Sequence, residues 1–374
     1  CMCDNCEATK HIALFVPSLN GGGAEKVMVL LANGFADRGY DVDLVVASFQ
    51  GEFTHEVSVK VRIVNLNETR TVKALLPLKR YLSKSNPDVL LSTLPHANIV
   101  SILAGALSRT STRIVVCQQS SPSQSLFGGW KRTVLRQLCR TFYPLSDMCI
   151  CSSDGIVEEM HNLLNMKTSK LKRIYNPVDE ARINRLKEED PGHPWFNDPE
   201  KPVVLAVGRL TEAKDYPNLL HAFRKLRDKR KAALIILGQG PMEAYLKKLT
   251  VQLNLVDDVD FLGFQSNPYS FMRNCDLFVL SSAWEGLPGV LIEALACGAN
   301  IVSTDCKTGP REILEDGALG ALVPIKNSTA LARQMSKALS SQVPVQKKDM
   351  KRFNREHIET AYISELFPVT DIRF

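Results

Sequence analysis

Short apolar runs alternate with longer amphipathic stretches along almost the whole chain. The runs at 11–19 (HIALFVPSL), 41–48, 87–93, 113–119 and 147–153 have the length and makeup of strands, and the segments between them read as helices, the first ending near Arg38. Strand and helix in strict alternation predict an α/β fold with parallel sheets.

The pattern breaks at 180–200 (EARINRLKEEDPGHPWFNDPE), which is charged, Pro-rich and without a strand-like run. It is expected to be a linker. Alternation then resumes, with strands at 202–210, 232–238, 259–264, 276–282, 300–305 and 320–324. The expected organisation is a Rossmann-like domain over 11–179, a linker over 180–200 and a second Rossmann-like domain over 201–350. A C-terminal helical segment, 351–374, is expected to cross back to the first domain. Two doubly wound parallel sheets facing across a cleft would bind ligands at the C-terminal edges of their strands.

At 374 residues the chain is too long for one ordinary core and fits two domains. With 45% hydrophobic and 23% charged residues, the composition is that of a globular protein. A net charge of +6 admits an anionic partner but lacks the dense basic stripe expected of a nucleic-acid binder. No apolar run reaches the ~18 residues that span a bilayer. The start, CMCDNCEATKH, has no apolar core like that of a secretory signal, so a cytoplasmic protein is expected. Of the ten cysteines, Cys117, Cys149, Cys151 and Cys275 fall in apolar strands and read as small buried hydrophobes. Cys1, Cys3 and Cys6 lack a fourth ligand for a metal, so residues 1–10 are expected to be a disordered or artificial end.

The candidate chemistry falls after strands. In WEGLPGVLIEALACG (284–298), Glu285 lies in the loop that follows the strand 276–282. Pro288 suits a first helical turn, the helix runs from about Gly289 to Cys297, and Gly298 caps it. At the helix start, 288–290, the amides that can donate, those of Gly289 and Val290, are left free for an acceptor such as phosphate. Glu293 sits among apolar residues, where a carboxylate is costly unless it is paired or bound to a ligand. A local Lys or Arg partner is the competing reading.

GRLTEAKD (208–215) places Arg209 and Lys214 at a strand end, where a guanidinium fork and an ammonium suit a diphosphate. Two solvated surface charges are the plainer reading. In NGGGAEK (20–26) the glycines allow close approach of a ligand, but position 26 is Lys and the dinucleotide fingerprint G-x-G-x-x-G fails. A nicotinamide cofactor is therefore not expected, and a structural turn is the alternative. In WKRTVLRQLCRTFY (130–143), Lys131, Arg132, Arg136 and Arg140 recur near helical spacing beside Val134, Leu135, Leu138 and Phe142. That pattern fits either a helix lying on an anionic membrane or an ordinary helix with one buried face.

Glu285 and Glu293 spaced E-x7-E, GRLTEAKD, GGGAEK and IYNPVD (174–179), in their order along the chain, resemble the GT4 family of retaining glycosyltransferases of GT-B fold. The resemblance runs from His11 to about Phe367. It implies that Glu293 binds the donor ribose, Glu285 contacts the donor sugar, and Arg209 with Lys214 neutralises the departing diphosphate. Gly22 and Gly23 would lie near that diphosphate. Gly208, Gly286, Leu287, Pro288, Gly289 and Val290 would line the donor subsite, and Phe264 would end the segment against the base. No metal and no cofactor are implied.

Many members carry a His after the strand corresponding to 113–117. Here that stretch reads CQQSSP, and Gln118 and Gln119, with His96 after a different strand, are the candidates for the acceptor side of the cleft; a surface or helix-capping role is the competing reading for His96. The segments STLPHANIV and CQQSSP are similar to members that build polysaccharide or lipid-linked glycans. These imply a UDP-hexose or UDP-N-acetylhexosamine donor and a polyprenyl-diphosphate or saccharide acceptor. They also imply peripheral attachment at the inner face of the cytoplasmic membrane through Lys131, Arg132, Arg136 and Arg140. A sugar-nucleotide epimerase and a non-catalytic sugar-nucleotide binding protein are the competing functions.

Overall fold

The computed structural model describes residues 9–20, 22–126, 129–341 and 347–368. Residues 1–8, with the Cys1, Cys3 and Cys6 cluster, lie outside the described residues, as do Gly21 and 369–374. The chain divides into two compact units, one of residues 1–177 with 355–374, the other of residues 178–354.

The first unit holds seven strands: β1 (His11–Val16), β2 (Asp41–Val46), β3 (Arg62–Asn65), β4 (Val89–Thr93), β5 (Arg113–Gln118), β6 (Met148–Cys151) and β7 (Leu171–Arg173). They form one sheet in the order β3-β2-β1-β4-β5-β6-β7, every pairing parallel. The chain winds outward from β1 to β3, returns to the other side of β1 and winds outward again. The sheet is thus doubly wound, with its switch point between β1 and β4. Its helices are α1 (Gly23–Asp37), α2 (Leu75–Ser85), α3 (Pro95–Ser108), α4 (Pro122–Ser125), α5 (Trp130–Phe142) and α6 (Asp154–Leu164).

The second unit opens with α7 (Glu180–Leu186) and carries β8 (Val203–Val207), α8 (Tyr216–Arg227), β9 (Ala233–Leu237), α9 (Glu243–Gln252), β10 (Val259–Gly263), α10 (Pro268–Asn274) and β11 (Leu277–Leu280). It continues with α11 (Gly289–Ala296), β12 (Ile301–Thr304), α12 (Pro310–Ile313), β13 (Ala321–Val323) and α13 (Ser328–Ala338). The sheet order is β10-β9-β8-β11-β12-β13, again parallel throughout, with the switch point between β8 and β11.

The central strands are apolar and buried, which is what a sheet covered on both faces requires. Except for β4, which ends with its apolar run at Thr93, the observed strands end one to three residues before the apolar runs that predict them, because the last residues of those runs turn into the loops at the sheet edge. Strands β3 (RIVN) and β7 (LKR) carry no sequence signal. Each is an edge strand, short and partly charged, a makeup that discourages pairing with other chains.

The stretch 180–200, expected as a linker, instead begins with α7, which belongs to the second unit. Asp179 caps it by accepting from the amide of Arg182 at 3.0 Å, and Ile183 is buried.

The last helix, α14 (Arg355–Leu366), belongs to the first unit and packs on α1. Its Glu359 is 4% exposed and accepts from Arg38 Nε at 2.8 Å and from Arg355 Nε at 2.6 Å. Gly34 of α1 makes room for it, since a Cβ there would fall 1.7 Å from a Glu359 oxygen. A buried carboxylate of this kind is tolerated only because both of its oxygens are matched by guanidinium donors.

At the N-terminal ends of β1 to β3, the fully buried Asp43 accepts from His11, Arg62 and Tyr81. Burial works to raise its carboxyl, but the hydrogen bonds from His11, Arg62 and Tyr81 outweigh it and hold the group well below the usual carboxylate range. His11, Asp41 and Asp43 bring potential metal-ligating atoms within 4.8 Å of one another. They lie at the edge opposite the strand C-termini, and His11 and Asp43 already satisfy each other.

Candidate active site

In the second unit the loops after β8, β9 and β11 are joined by backbone bonds, Leu210 N to Gln239 O at 2.9 Å among them, and the loop after β12 is tied to the one after β11 through the side chains of Cys306 and Thr308. Gly208, with φ +154°, follows β8, and its carbonyl accepts from the hydroxyl of Tyr216 at 3.0 Å. Burial, with the Glu285 carboxylate adding to it, raises the Tyr216 phenol well above its ordinary range, so it remains a donor. Gly238, after β9, has φ +133°, and a Cβ there would lie 2.1 Å from the Gly208 oxygen. Only glycine accepts both this backbone angle and this approach. Arg209 is therefore held by a rigid turn while its own side chain is exposed and has no acidic partner among the described residues.

The loop after β11 is joined to the loop after β8 by Ala283 N to Ala213 O at 2.8 Å and Ser281 Oγ to Lys214 O at 2.8 Å. These bonds set two side chains against each other. Lys214 Nζ lies 2.6 Å from Glu285 Oε1, with the two side chains 18% and 12% exposed. The same oxygen accepts from Ser282 Oγ at 2.6 Å. Thr308 Oγ1 donates to the Glu285 carbonyl at 2.5 Å, and Gly309, with φ +91°, is pressed against the Gly286 carbonyl and Pro288. The Glu285 carboxylate is close enough that it adds to burial in pushing the Cys306 thiol up to about 12.

Because β8 and β11 flank the switch point of the sheet, Lys214 and Glu285 stand where open α/β sheets bind ligands. The expected helix after this loop is α11, N-capped by Pro288, with Leu287 buried and Gly289 and Val290 partly exposed in its first turn. A Cβ on Gly289 would meet nothing within 4 Å, so the chain's own packing does not require glycine there. Glu293, about one turn into α11, is half-buried, and Tyr269 Oη lies 3.4 Å from its Oε1. Phe264 follows β10 and is 54% exposed, an aromatic face left open at the strand's C-terminal end.

In the first unit, Gly22 caps α1 with ordinary extended angles, and a Cβ on it would meet only the flexible end of the Glu25 side chain. A Cβ on Gly23 would meet nothing within 4 Å. Neither glycine is therefore demanded by the packing of the backbone around it. His96 sits on the first turn of α3 and is exposed, with nearby bulk lowering its imidazole pKa by desolvation. Leu94, just before it, holds a left-handed φ of +76° that a β-carbon residue adopts only at a cost. Gln118 is committed to the interior. Its Oε1 accepts from Tyr143 Oη at 3.1 Å and its Nε2 donates to Ser120 O at 2.7 Å. The next residue, Gln119, has a buried Nε2 without an acceptor among the described residues. Ser121 at the end of the same loop and Ser123 of α4 are pinned by the buried Glu159.

Helix α5 covers the stretch 130–143 up to Phe142. Its apolar residues do not share one face. Leu135, Cys139 and Phe142 pack inward, whereas Trp130, Val134 and Leu138, spaced four apart, are 74%, 50% and 40% exposed. Lys131 Nζ lies 5.6 Å from the Trp130 ring centroid, and Arg140 is exposed on the same helix. Arg132 and Arg136 each make interactions with the rest of the protein. Ser282, Thr308, Tyr216 and Tyr269 were not singled out by sequence. The one available signal was Ser282, a polar residue closing an apolar strand three positions before Glu285.

Residues 192–357 match the family described as glycosyl transferases group 1, and residues 21–182 match Glycosyltransferase Family 4. The chain is 31% identical over 273 residues to an uncharacterised glycosyltransferase of Methanocaldococcus jannaschii, covering 68% of this chain and 67% of that protein. It is 28% identical over 333 residues, 86% of this chain and 88% of the other, to the N-acetylgalactosamine-N,N'-diacetylbacillosaminyl-diphospho-undecaprenol 4-alpha-N-acetylgalactosaminyltransferase of Campylobacter jejuni subsp. jejuni serotype O:2. Among solved structures it is similar to Anabaena HepE in complex with UDP and glucose, with TM-score 0.79, 21% identity and coverage of 96% of this chain and 99% of that one. A parallel-sheet pair of Rossmann-like units with these matches defines a glycosyltransferase of GT-B fold. The chain belongs to the GT4 family and is an enzyme of glycan biosynthesis.

Proposed function

We propose that the enzyme transfers a hexose or N-acetylhexosamine from a UDP-sugar to a polyprenyl-diphosphate-linked or saccharide acceptor, with retention of configuration and without a metal. The observation that carries this reading is the Lys214–Glu285 pair at the switch point of the second sheet, beside an Arg209 with no acidic partner among the described residues. Breaking the sugar–phosphate bond places negative charge on the diphosphate and positive charge on the sugar. Cations fixed before the reaction favour the first of these, and a carboxylate favours the second. Arg209, Lys214 and the first amides of α11 receive the diphosphate, Glu285 contacts the sugar, and Glu293 takes the ribose hydroxyls. Phe264 offers a stacking face to the base. Gly22 and Gly23, which the packing around them does not require to be glycine, leave the start of α1 open to a ligand. His96 and Gln119 serve the acceptor, while Gln118 braces the loop that carries Gln119.

Retention follows most simply if the acceptor attacks from the face the diphosphate leaves, its proton passing to the leaving oxygen. The Campylobacter relative's diphospho-undecaprenol substrate and the UDP held by HepE support the acceptor and donor classes. The same acceptor class implies a membrane surface. No helix among the described residues is long and apolar enough to cross a membrane, and α5 supplies a surface alternative: an exposed Trp130, Val134 and Leu138 stripe with Lys131, Arg132, Arg136 and Arg140 on the same helix. Exposed apolar and basic residues on one helix suit the headgroup layer of anionic lipid.

A thermal-shift screen with UDP, GDP, ADP and their sugar conjugates in EDTA tests the donor assignment. Stabilisation by UDP, and by a UDP-sugar, is expected. Stabilisation by another nucleotide alone, or a requirement for metal, would overturn it.

A further inference from the structure

The Lys214–Glu285 pair has an electrostatic consequence separate from catalysis of bond breaking. Lys214 uses one of its three donors on Glu285 Oε1, and Ser282 places a second donor on that same oxygen. Glu285 Oε2 has no donor among the described residues, so the carboxylate is oriented by one oxygen and open at the other. The pair is close to neutral as a unit. Of the two cations assigned to the diphosphate, only Arg209 brings a charge that the protein does not already cancel.

The donor and the product differ in charge at this position. In the donor, the terminal phosphate is esterified to the sugar. When the bond from the anomeric carbon to oxygen breaks, its electron pair stays on the diphosphate, the sugar bonds to the acceptor oxygen, and the acceptor's proton is released to solvent by way of the leaving oxygen. The nucleoside diphosphate left behind carries one more negative charge, and the sugar hydroxyls that could donate to Glu285 Oε2 are gone. Two anions then face each other across a partly buried site, where screening is weaker than in water.

We propose that Glu285 makes the site release its nucleoside diphosphate product: by cancelling Lys214 and repelling the newly charged phosphate, it holds the affinity for bare UDP below that for the intact UDP-sugar. This rests on the reading that Lys214 meets the donor diphosphate. Ser282 is a positioning residue here, since its hydroxyl keeps Oε1 turned toward Lys214 and Oε2 outward. Release of product limits turnover in many enzymes, so weakening the product is a gain in rate.

Titration calorimetry with UDP on wild type, Glu285→Gln, Glu285→Ala and Lys214→Gln tests this, each variant being checked for a cooperative melt without ligand. Both Glu285 variants are expected to bind UDP at least fivefold more tightly than wild type, with UDP becoming a correspondingly stronger inhibitor of any residual turnover. Lys214→Gln is expected to bind UDP at least tenfold more weakly. The Ala variant decides the matter if the Gln variant fails to fold. If Lys214→Gln weakens UDP but neither folded Glu285 variant tightens it, the product-release role is overturned and the placement of the diphosphate stands. If Lys214→Gln leaves UDP binding unchanged, or wild type does not bind UDP, the underlying placement is wrong and the product-release role falls with it.

Discussion

Lys214 and Glu285 stand 71 positions apart in sequence and 2.6 Å apart in space, brought together by two parallel strands whose connections leave the switch point in opposite directions. Their loops are tied by backbone bonds, so the pair is a fixed feature of the second unit and not a chance surface contact. Replacing Lys214 with Gln removes the charge and keeps a polar group. Turnover should fall by roughly 10²–10³-fold, the range seen when one preorganised stabilising donor is lost. The melting temperature should fall by no more than about 4 °C. Parallel steady-state kinetics and melting curves check this, and a loss of stability large enough to account for the lost activity would make Lys214 a structural residue.

Gly238 should be intolerant of a side chain. A Cβ would press on the Gly208 carbonyl, in a backbone region that costs an L-residue of order 1 kcal/mol or more. Gly238→Ala should lower the melting temperature and raise the KM for donor, because the turn that holds Arg209 must shift. An unchanged donor KM in a folded variant would show that the turn does not set the position of Arg209.

The His11–Asp43 cluster gives the first unit a pH-dependent stability. His11 is raised above its ordinary 6.5, chiefly by its hydrogen bond to Asp43. Its contribution is therefore complete below pH 6.5 and is lost as pH rises through the higher folded value. Asp43 is lowered from 3.8, so its contribution is complete above that pH and is lost as pH falls through the folded value. The cluster stabilises most between these limits. His11→Gln should flatten the decline in urea midpoint between about pH 6 and about pH 9, and an identical slope in both proteins would rule out His11 as its source.

Helix α5 should carry the attachment to anionic lipid. Each basic residue near such a surface contributes about 1 kcal/mol. Arg136→Glu with Arg140→Glu should therefore lower partitioning onto phosphatidylglycerol vesicles at least tenfold, and Trp130→Ala should lower it independently of salt. Cosedimentation at two ionic strengths separates the two effects. Unchanged binding by both variants would leave α5 an ordinary solvated helix.

Much of the architecture was legible in the sequence because parallel strands covered on both faces must be apolar runs, and those runs stand out. The helix after Glu285 was legible too, since Pro288 and Gly298 bracket it and α11 spans Gly289–Ala296. Edge strands β3 and β7 were not, because an edge need not be apolar. Helix α7 was hidden in 180–200, where a dense run of charges masks the single buried Ile183. Which charged residues meet was not legible either. Nothing local links Lys214 to Glu285, and the bonds of Gln118 to Tyr143 and Ser120 depend on strand register and on where α5 ends. The division of α5 into an inward Leu135–Cys139–Phe142 side and an outward Trp130–Val134–Leu138 side likewise depends on which neighbours pack against it.

Sugar transfer from a UDP-sugar is tested by a transfer reaction in EDTA. UDP-N-acetylhexosamines and UDP-hexoses are offered singly with a short polyprenyl-diphosphate saccharide, and the lipid product is read by mass spectrometry and NMR. The expected result is a mass gain of one sugar, stoichiometric UDP, and the same anomeric configuration in product as in donor, with the rate of product formation lowered by roughly 10²–10³-fold in Lys214→Gln. An inverted linkage, dependence on an added divalent ion, or interconversion of the UDP-sugars without transfer to acceptor would contradict it.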